Sequence, residues 1–221
     1  TSVWMGGEMV PVVEEYVYLG LKIRRDLDLE AMVTGRIEKA EKGLAAMRPF
    51  LAMQSIPIDT RVNVLKAVVL ASAAYGGEIW GMSEQRSSKI QTLVNKALRL
   101  VLGHKQTDMT IPVAALWREL QMPPVHAIVS ARRVRAIIKF PSLATWVATL
   151  LRYPIRDNSS WRAVSMTWIK KNEIEKVLGL DLLMPSGGDS SDKLHKKVMD
   201  ALWECMEEKQ YEKASHPYLE R

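Results

Sequence analysis

The sequence predicts a mainly α-helical protein, in which a helical bundle follows a short β-hairpin and further helices pack on the bundle. Apolar residues recur every three or four positions along most of the chain, whereas residues 3–23 alternate as strands do. Residues 65–102 contain an apolar helix, a Gly-Gly turn and a second amphipathic helix. We expect the rest of the chain to pack around this stretch.

The first 25 residues predict one β-hairpin with its turn at Gly6 and Gly7. A lone hairpin is marginally stable in water, so we expect a partner sheet or the following helices to cover it. The first residue is Thr1, which suggests a processed product or part of a longer chain.

The first helix should begin after Asp28, a good N-cap, and continue to Leu51. Its apolar positions are spaced three or four apart, as in a helix packed lengthwise on another. They are Leu29, Val33, Ile37, Ala40, Leu44, Met47 and Leu51.

The second helix should be capped by Asp59 or Thr60 and end at the glycines 76 and 77. We expect its buried stripe to comprise Val64, Leu65, Val68, Val69 and Tyr75. The third helix should begin after Ser83 and end before Gly103. Its buried side should comprise Ile90, Leu93, Val94, Ala97, Leu98 and Val101.

Further helices are predicted over 111–120, 124–140, 143–152 and 161–171, and a last one over 191–213. Pro, Ser and Gly between positions 181 and 192 predict a flexible linker. We therefore divide the chain into a hairpin, a three-helix bundle, a basic helical region, a linker and an acidic helix. Their bounds are 1–25, 26–103, 104–180, 181–192 and 193–221.

Composition excludes several classes of protein. No apolar run approaches the roughly 20 residues of a membrane span, so we expect no membrane partner. A single cysteine, Cys205, excludes an internal disulfide framework and fits an intracellular, reducing compartment.

The net charge of +6 is unevenly distributed along the chain. Residues 121–171 contain nine Lys or Arg and one acid, Asp157, whereas residues 172–221 carry an excess of acids. Clustered cations gain affinity for polyanions by releasing counterions from phosphates. The block therefore indicates either a polyanion partner or a basic face that keeps the protein soluble.

Two basic helix faces are the candidate binding sites. One carries Lys89, Lys96 and Arg99 on the third helix. Cations on one helix face suit phosphate positioning without base readout, although each face could equally be a solvated surface. The second face and its sequence neighbours comprise Arg132, Arg133, Arg135, Lys139, Arg152, Arg156 and Arg162.

We find no catalytic constellation, and we expect neither a metal nor a cofactor. Asp26 and Asp28 stand at a helix entrance, where capping explains them. The four histidines lack partners at zinc-ligand spacing. Among seven tryptophans, most occupy core spacings, and Trp161 beside Arg162 is the candidate for a surface contact that stacks on bases.

Several motifs together resemble the thumb and C-terminal region of non-LTR (LINE-type) retrotransposon reverse transcriptases. They are Tyr-Leu-Gly at 18–20, the long helix after it, Tyr-Gly-Gly-Glu-Ile-Trp at 75–80, the segment 112–124 with its two closing prolines, Thr-Trp at 145–146, Tyr-Pro at 153–154, Trp161 and Trp168. The resemblance covers roughly residues 10–170.

This resemblance implies that residues 1–25 end a palm-like sheet and that residues 26–103 form a thumb-like bundle. A thumb grips the RNA or RNA–DNA duplex backbone and performs no phosphoryl transfer. The palm's paired aspartates would lie before residue 1, so this chain is not expected to be an enzyme on its own. It would serve RNA-directed DNA polymerisation only as part of a longer chain. The implied location is nuclear, with an organellar ribonucleoprotein as an alternative.

A second hypothesis is a co-opted retroelement remnant that acts as a scaffold within a larger ribonucleoprotein. Protein partners would then bind hydrophobic helical surfaces and the acidic final helix. The acids of that helix are Asp200, Glu204, Glu207, Glu208 and Glu212.

Overall fold

The computed structural model describes residues 3–104, 111–153, 160–174, 176 and 191–215. It confirms the mainly α fold, with small antiparallel β structure at the N-terminus followed by packed helices. The predicted linker falls almost entirely outside the described residues.

Two hairpins form where one was predicted. β1 (Val3–Met5) pairs with β2 (Glu8–Val10) around the predicted glycine turn, and β3 (Glu15–Tyr18) pairs with β4 (Leu21–Arg24). The sequence pattern had joined β3 and β4 into one strand. Leu19 and Gly20 both adopt positive φ, 47° and 80°, and two such residues reverse the chain in a tight hairpin turn.

The helices cover little of these hairpins. Every residue of β1, β2 and β3 is exposed, while Leu21 of β4 is buried and β4 packs against the first helix. We expected the helices to cover the hairpin. Among the described strands, they cover only β4. The exposed apolar side chains of this region are Val3, Trp4, Met5, Met9, Val10, Val12, Val13, Tyr16, Val17, Tyr18 and Leu19.

The helical part begins with α1 (Leu29–Ala52) and α2 (Ile58–Val64). A π-helical segment (Leu65–Leu70) continues α2 into α3 (Ala71–Ala73). The later helices are α4 (Gly77–Trp80), α5 (Glu84–Val101), α6 (Val113–Glu119), α7 (Val125–Lys139), a 3₁₀ turn (Phe140–Ser142), α8 (Trp146–Arg152), α9 (Trp161–Lys171) and α10 (Ser191–Ser215).

The predictions for α1 and α5 are confirmed. The Asp28 carboxylate accepts a hydrogen bond from the Glu30 backbone N–H at 3.0 Å, and the Ser83 hydroxyl caps α5 by accepting from the Arg86 N–H. The predicted apolar positions of α1 are buried or pack against the core. All six predicted core residues of α5 are buried.

The predicted stripe of the second helix is partly wrong. Val68 and Tyr75 are exposed, and the helix begins at Ile58 without the expected side-chain cap. A π-helical turn contains an extra residue, so it rotates the following side chains relative to an α-helix. Leu65 and Val69 are buried as predicted, and Val62, Leu70 and Ala73 are buried as well.

Two clusters of buried side chains share α7. The larger cluster joins α1–α5 to α6 and α7, with Val125, Ile128 and Val129 on the α7 side. The smaller cluster joins α7 to α9 and α10, and it contains Ala131 and Val134 of α7. Because α7 is covered from two sides, little of its surface is left to face solvent.

Two of the sequence motifs meet although 56 residues separate their contacting members. The Tyr75 hydroxyl donates to the Leu19 carbonyl at 2.9 Å. Arg36 of α1 donates to the Gly20 carbonyl, and its guanidinium lies 5.1 Å from the centre of the Tyr75 ring. The β3–β4 turn is thereby tied to the end of the second helix.

α4 packs closely on α7 at Gly81. A Cβ at this position would lie 2.5 Å from the Gly77 carbonyl oxygen and 2.6 Å from that of Val129. Both obstacles are backbone atoms of packed elements, which cannot rotate away as a side chain would. Gly81 is therefore required for this approach of the two elements.

We expect Gly81→Ala to lower the free energy of unfolding by about 1–3 kcal/mol, the usual range for overpacking. The matched control is Gly43→Ala in α1, where a new Cβ would meet its nearest neighbour, Val68, at 3.7 Å. Alanine is favoured over glycine within a helix, so G43A should stabilise by roughly 0.5–1 kcal/mol. Urea unfolding of both variants measures the difference, and equal midpoints would refute the close packing at Gly81.

Candidate nucleic-acid interface

The segment 74–81 lies against α7, and side chains from four elements bond its carbonyls. We call this segment the 74–81 turn. Its short helical conformation leaves backbone carbonyl oxygens without intrahelical partners, and such groups must be satisfied when buried. The donors are Arg132 to Ala74, Trp80 to Tyr75, Trp161 to Glu78, Arg86 to Trp80, and Arg133 to Ile79 and Gly81.

Arg133 is the central donor and is 3% exposed. Its Nη1 donates to the carbonyls of Ile79 and Gly81 at 2.9 and 3.0 Å. Its Nη2 donates to the Trp161 carbonyl at 3.1 Å, and its Nε donates to the Ser165 hydroxyl at 2.7 Å. The guanidinium also lies 5.2 Å from the centre of the Trp161 ring. One side chain thus joins α4, α7 and α9.

Burial is the main cause that lowers the pKa of Arg133 to about 10, and the nearby charge of Arg86 adds to the effect. The side chain therefore remains charged at neutral pH, surrounded by carbonyl and hydroxyl oxygens. Its N–H groups are turned inward and bonded within the protein, which argues against its predicted role as a phosphate ligand.

The neighbouring face of α7 opens into a groove of about 440 Å³ against the 74–81 turn. We call it the α7 groove. Cations one turn apart lie on the same side of a helix, which brings three predicted residues together here. The lining residues are Tyr75, Gly76, Glu78, Arg132, Arg135, Ala136, Lys139 and Phe140.

The charge of the groove is mostly positive, with three cations and one carboxylate, Glu78. Arg132 is half-buried, and burial lowers its pKa while Glu78 opposes that shift. It also donates to the Ala74 carbonyl, which fixes the guanidinium at the wall of the groove. Lys139 is exposed at the end of α7. This arrangement suits an anion with several oxygen acceptors, such as a phosphate.

The predicted basic face on α5 is largely lost. Arg99 is 4% exposed, which argues against its prediction as a phosphate contact. The Lys89 ammonium lies 2.8 Å from the Glu30 carboxylate of α1 and is partly neutralised there. Lys96 is exposed. Helical spacing placed these residues together, but the structure buries Arg99 and leaves Lys96 exposed.

The remaining predicted contacts lie after α7. Arg162 is half-buried, and its guanidinium donates to the Leu151 carbonyl of α8, so it joins α9 to α8. Arg152 is the last residue of α8, and its side chain is outside the described residues. Arg156 also lies outside them.

Trp161, which the sequence suggested as a surface contact, is less exposed than Trp146. Trp161 is half-buried, donates to the Glu78 carbonyl at 3.0 Å and stacks on Phe140 with ring centres 6.2 Å apart. Trp146, by contrast, is 85% exposed. Both occupy apolar helical spacing in the sequence, and only the packing of α8 distinguishes them.

The acidic helix α10 packs on α7 through Val198 and Leu202, which are buried. Glu207 is also buried, and its carboxylate accepts from the Arg118 guanidinium at 2.9 Å. Glu204 and Glu208 are exposed, whereas the side chain of Glu212 is outside the described residues. One acidic residue of α10, Glu207, therefore forms an ion pair that joins α10 to α6.

Comparisons with protein-family models, curated proteins and solved structures found no match to this chain. Within the part of the chain that the structure describes, no helix has the length and apolar character needed to cross a bilayer. Across the same residues, no three His, Cys, Asp or Glu side chains form a group that could hold a metal ion.

We expect Arg133→Met to destabilise the protein by at least about 3 kcal/mol. Methionine preserves much of the volume but leaves three buried or half-buried carbonyls without this donor, and each unsatisfied buried acceptor costs roughly 1–3 kcal/mol. Lys139→Met on the same helix is the control, because an exposed substitution usually changes stability by less than about 0.5 kcal/mol. Urea unfolding that gave the two variants the same stability would contradict this role of Arg133.

Proposed function

We propose that the protein is a nucleic-acid-binding module that grips the phosphate backbone of RNA or of an RNA–DNA duplex in the α7 groove. The observation that carries the proposal is the set of three cations around one groove on α7. They belong to the 51-residue block that contains nine basic residues and a single acid. The proposal assigns the chain no catalysis of its own.

The fixed positions of Arg132 and of α7 favour phosphate binding in the α7 groove. Arg132 is fixed by the Ala74 carbonyl, and α7 itself is fixed by Arg133 and by cores on two sides. Cations held in place lose less side-chain entropy when they bind a phosphate. Contacts of Arg and Lys with phosphates carry no sequence information, so binding should depend on salt far more than on sequence.

The resemblance to non-LTR reverse transcriptases supports the same proposal. Two motifs on which it depends, 18–20 and 75–80, lie in contact through Tyr75 and Leu19. A thumb-like module would hold a template–primer duplex for a palm on a longer chain, where RNA-directed DNA polymerisation would occur. A nuclear location, or an organellar ribonucleoprotein, would follow from such a partner.

The proposed contact set is smaller than the sequence suggested. It retains Arg132, Arg135 and Lys139 in the groove and keeps Lys96 as a peripheral cation on α5. Arg99, Arg133 and Arg162 are left out because they are buried or serve contacts within the protein.

A second candidate function is a scaffold or protein-interaction subunit of a ribonucleoprotein, derived from a co-opted retroelement. The observation that favours it is the row of exposed apolar side chains on both hairpins, including Trp4 and Tyr16. Exposed apolar patches of this kind commonly mark protein contacts.

We expect Arg135→Gln combined with Lys139→Gln to weaken binding of an RNA–DNA duplex and to flatten its salt dependence. Each lost phosphate contact reduces the slope of log K against log salt by about 0.7–0.9, so the slope should fall by roughly 1.5. Fluorescence anisotropy between about 50 and 200 mM salt covers the range in which such affinities change most.

The matched control removes two charges from α1 instead, with Lys39→Gln and Lys42→Gln, since both side chains are exposed. A smaller loss in this control would localise the contact to the α7 groove. Equal losses in the two double variants would mean that net charge alone attracts the duplex. Absence of binding by the unaltered chain at low salt would refute the proposed function.

A further inference from the structure

α8 presents an aromatic stripe to solvent. Trp146, Leu150 and Tyr153 are 85%, 63% and 78% exposed, and they are spaced four and three residues apart. Trp146 and Leu150 lie on one face of α8, and Tyr153 directly follows the last residue of the helix as its C-cap. A Trp, a Leu and a Tyr exposed in a row form an unusual surface, because side chains of this size gain most from burial.

The fold of α8 does not depend on the aromatic side chains of Trp146 and Tyr153. α8 is capped by Thr145, whose hydroxyl accepts from the Ala148 N–H at 3.3 Å, and it is attached through buried Ala148 and the bond from Arg162 to Leu151. Trp146 therefore contributes little to holding α8 in place. Its exposure points to a role outside the fold.

The stripe continues from the α7 groove. Phe140 lines that groove and begins the 3₁₀ turn, against which α8 packs. Beyond the turn, an open cleft of about 520 Å³ lies beside Trp146. Three hydroxyl groups contribute to its lining, those of Ser142, Thr145 and Thr149. A ligand in the α7 groove that followed this surface would reach the indole.

We infer that Trp146 and Tyr153 stack on the bases of a single-stranded segment of nucleic acid that leaves the α7 groove. This inference rests on the proposed function and specifies its ligand, since stacking on a side chain needs a base face that base stacking within a duplex hides. The two residues are seven positions apart, which corresponds to about 10 Å of backbone along a helix axis, so they would contact different bases of one strand.

The charge of the surroundings favours a nucleic acid over a protein at this stripe. The α7 groove, which Phe140 lines at the start of the 3₁₀ turn, carries the three cations Arg132, Arg135 and Lys139 against one carboxylate, Glu78. Such a field attracts a polyanion, and aromatic rings set within it are the usual means of binding single strands without sequence preference. Binding of a protein partner at the stripe is one outcome that the test can detect.

The test compares an oligouridylate of roughly 16 nucleotides, the upper end of site sizes for single-strand modules, with a blunt RNA–DNA duplex. The full chain is used with Trp146→Ala, Trp146→Phe and Trp4→Ala. W4A is the matched control, because it removes an exposed tryptophan from β1. Thermal unfolding verifies that each variant is folded.

We expect W146A to weaken oligouridylate binding about tenfold or more, in line with alanine substitution of other stacking residues, and to leave duplex affinity unchanged. W146F should retain most of the affinity while showing less quenching of tryptophan fluorescence when the oligonucleotide is added. W4A should bind both probes as the unaltered chain does.

Three results would overturn the inference while leaving the proposed function in place. They are unchanged oligouridylate binding by W146A, equal weakening of both probes by W146A, and the finding in sedimentation that the unaltered chain self-associates and that W146A abolishes this while nucleic-acid binding stays intact. The last would identify the stripe as a protein contact. Failure of the unaltered chain to bind either probe would refute the proposed function itself.

Discussion

The buried guanidinium of Arg133 is the interaction on which the architecture depends. It supplies N–H donors to the 74–81 turn on one side and to the start of α9 on the other. Transfer of a charge into the interior is unfavourable unless its donors are satisfied, and here carbonyl and hydroxyl oxygens satisfy them. The position of α7, and with it the α7 groove, follows from this bond set because Arg133 is part of α7.

Other arginines act in the same way. Arg61, which is almost fully buried, donates to the carbonyls of Leu51 and Val101 at 3.1 and 2.6 Å, near the C-terminal ends of α1 and α5. A cation is favoured there by the helix dipole as well as by unsatisfied carbonyls. Arg36 likewise donates to a backbone carbonyl in the β3–β4 turn. Much of the positive charge in this chain therefore holds backbone turns and helix ends in place, and a count of basic residues overstates the basic surface.

The helical fold was predictable because periodicity and capping are local properties. Asp28 and Ser83 mark the starts of α1 and α5, and the apolar spacing in both helices identifies the buried side. The groove was predictable in part, since Arg132, Arg135 and Lys139 share a helix face. The π-helical turn after Val64 was not, because the sequence shows no local signal for the extra residue, and tertiary packing selects it.

The sequence by itself determined where the helices lie, that positive charge concentrates between 121 and 171, and that three cations occupy one face of α7. The tertiary structure alone decided which cations reach solvent. Arg132 and Arg133 are adjacent and chemically identical, yet the first lines the α7 groove and the second is enclosed by α4 and α9. Trp146 and Trp161 also differ only through packing, since the first is exposed and the second is half-buried. Helical spacing tells which residues share a face, but burial depends on what packs against that face, and those neighbours come from distant parts of the chain.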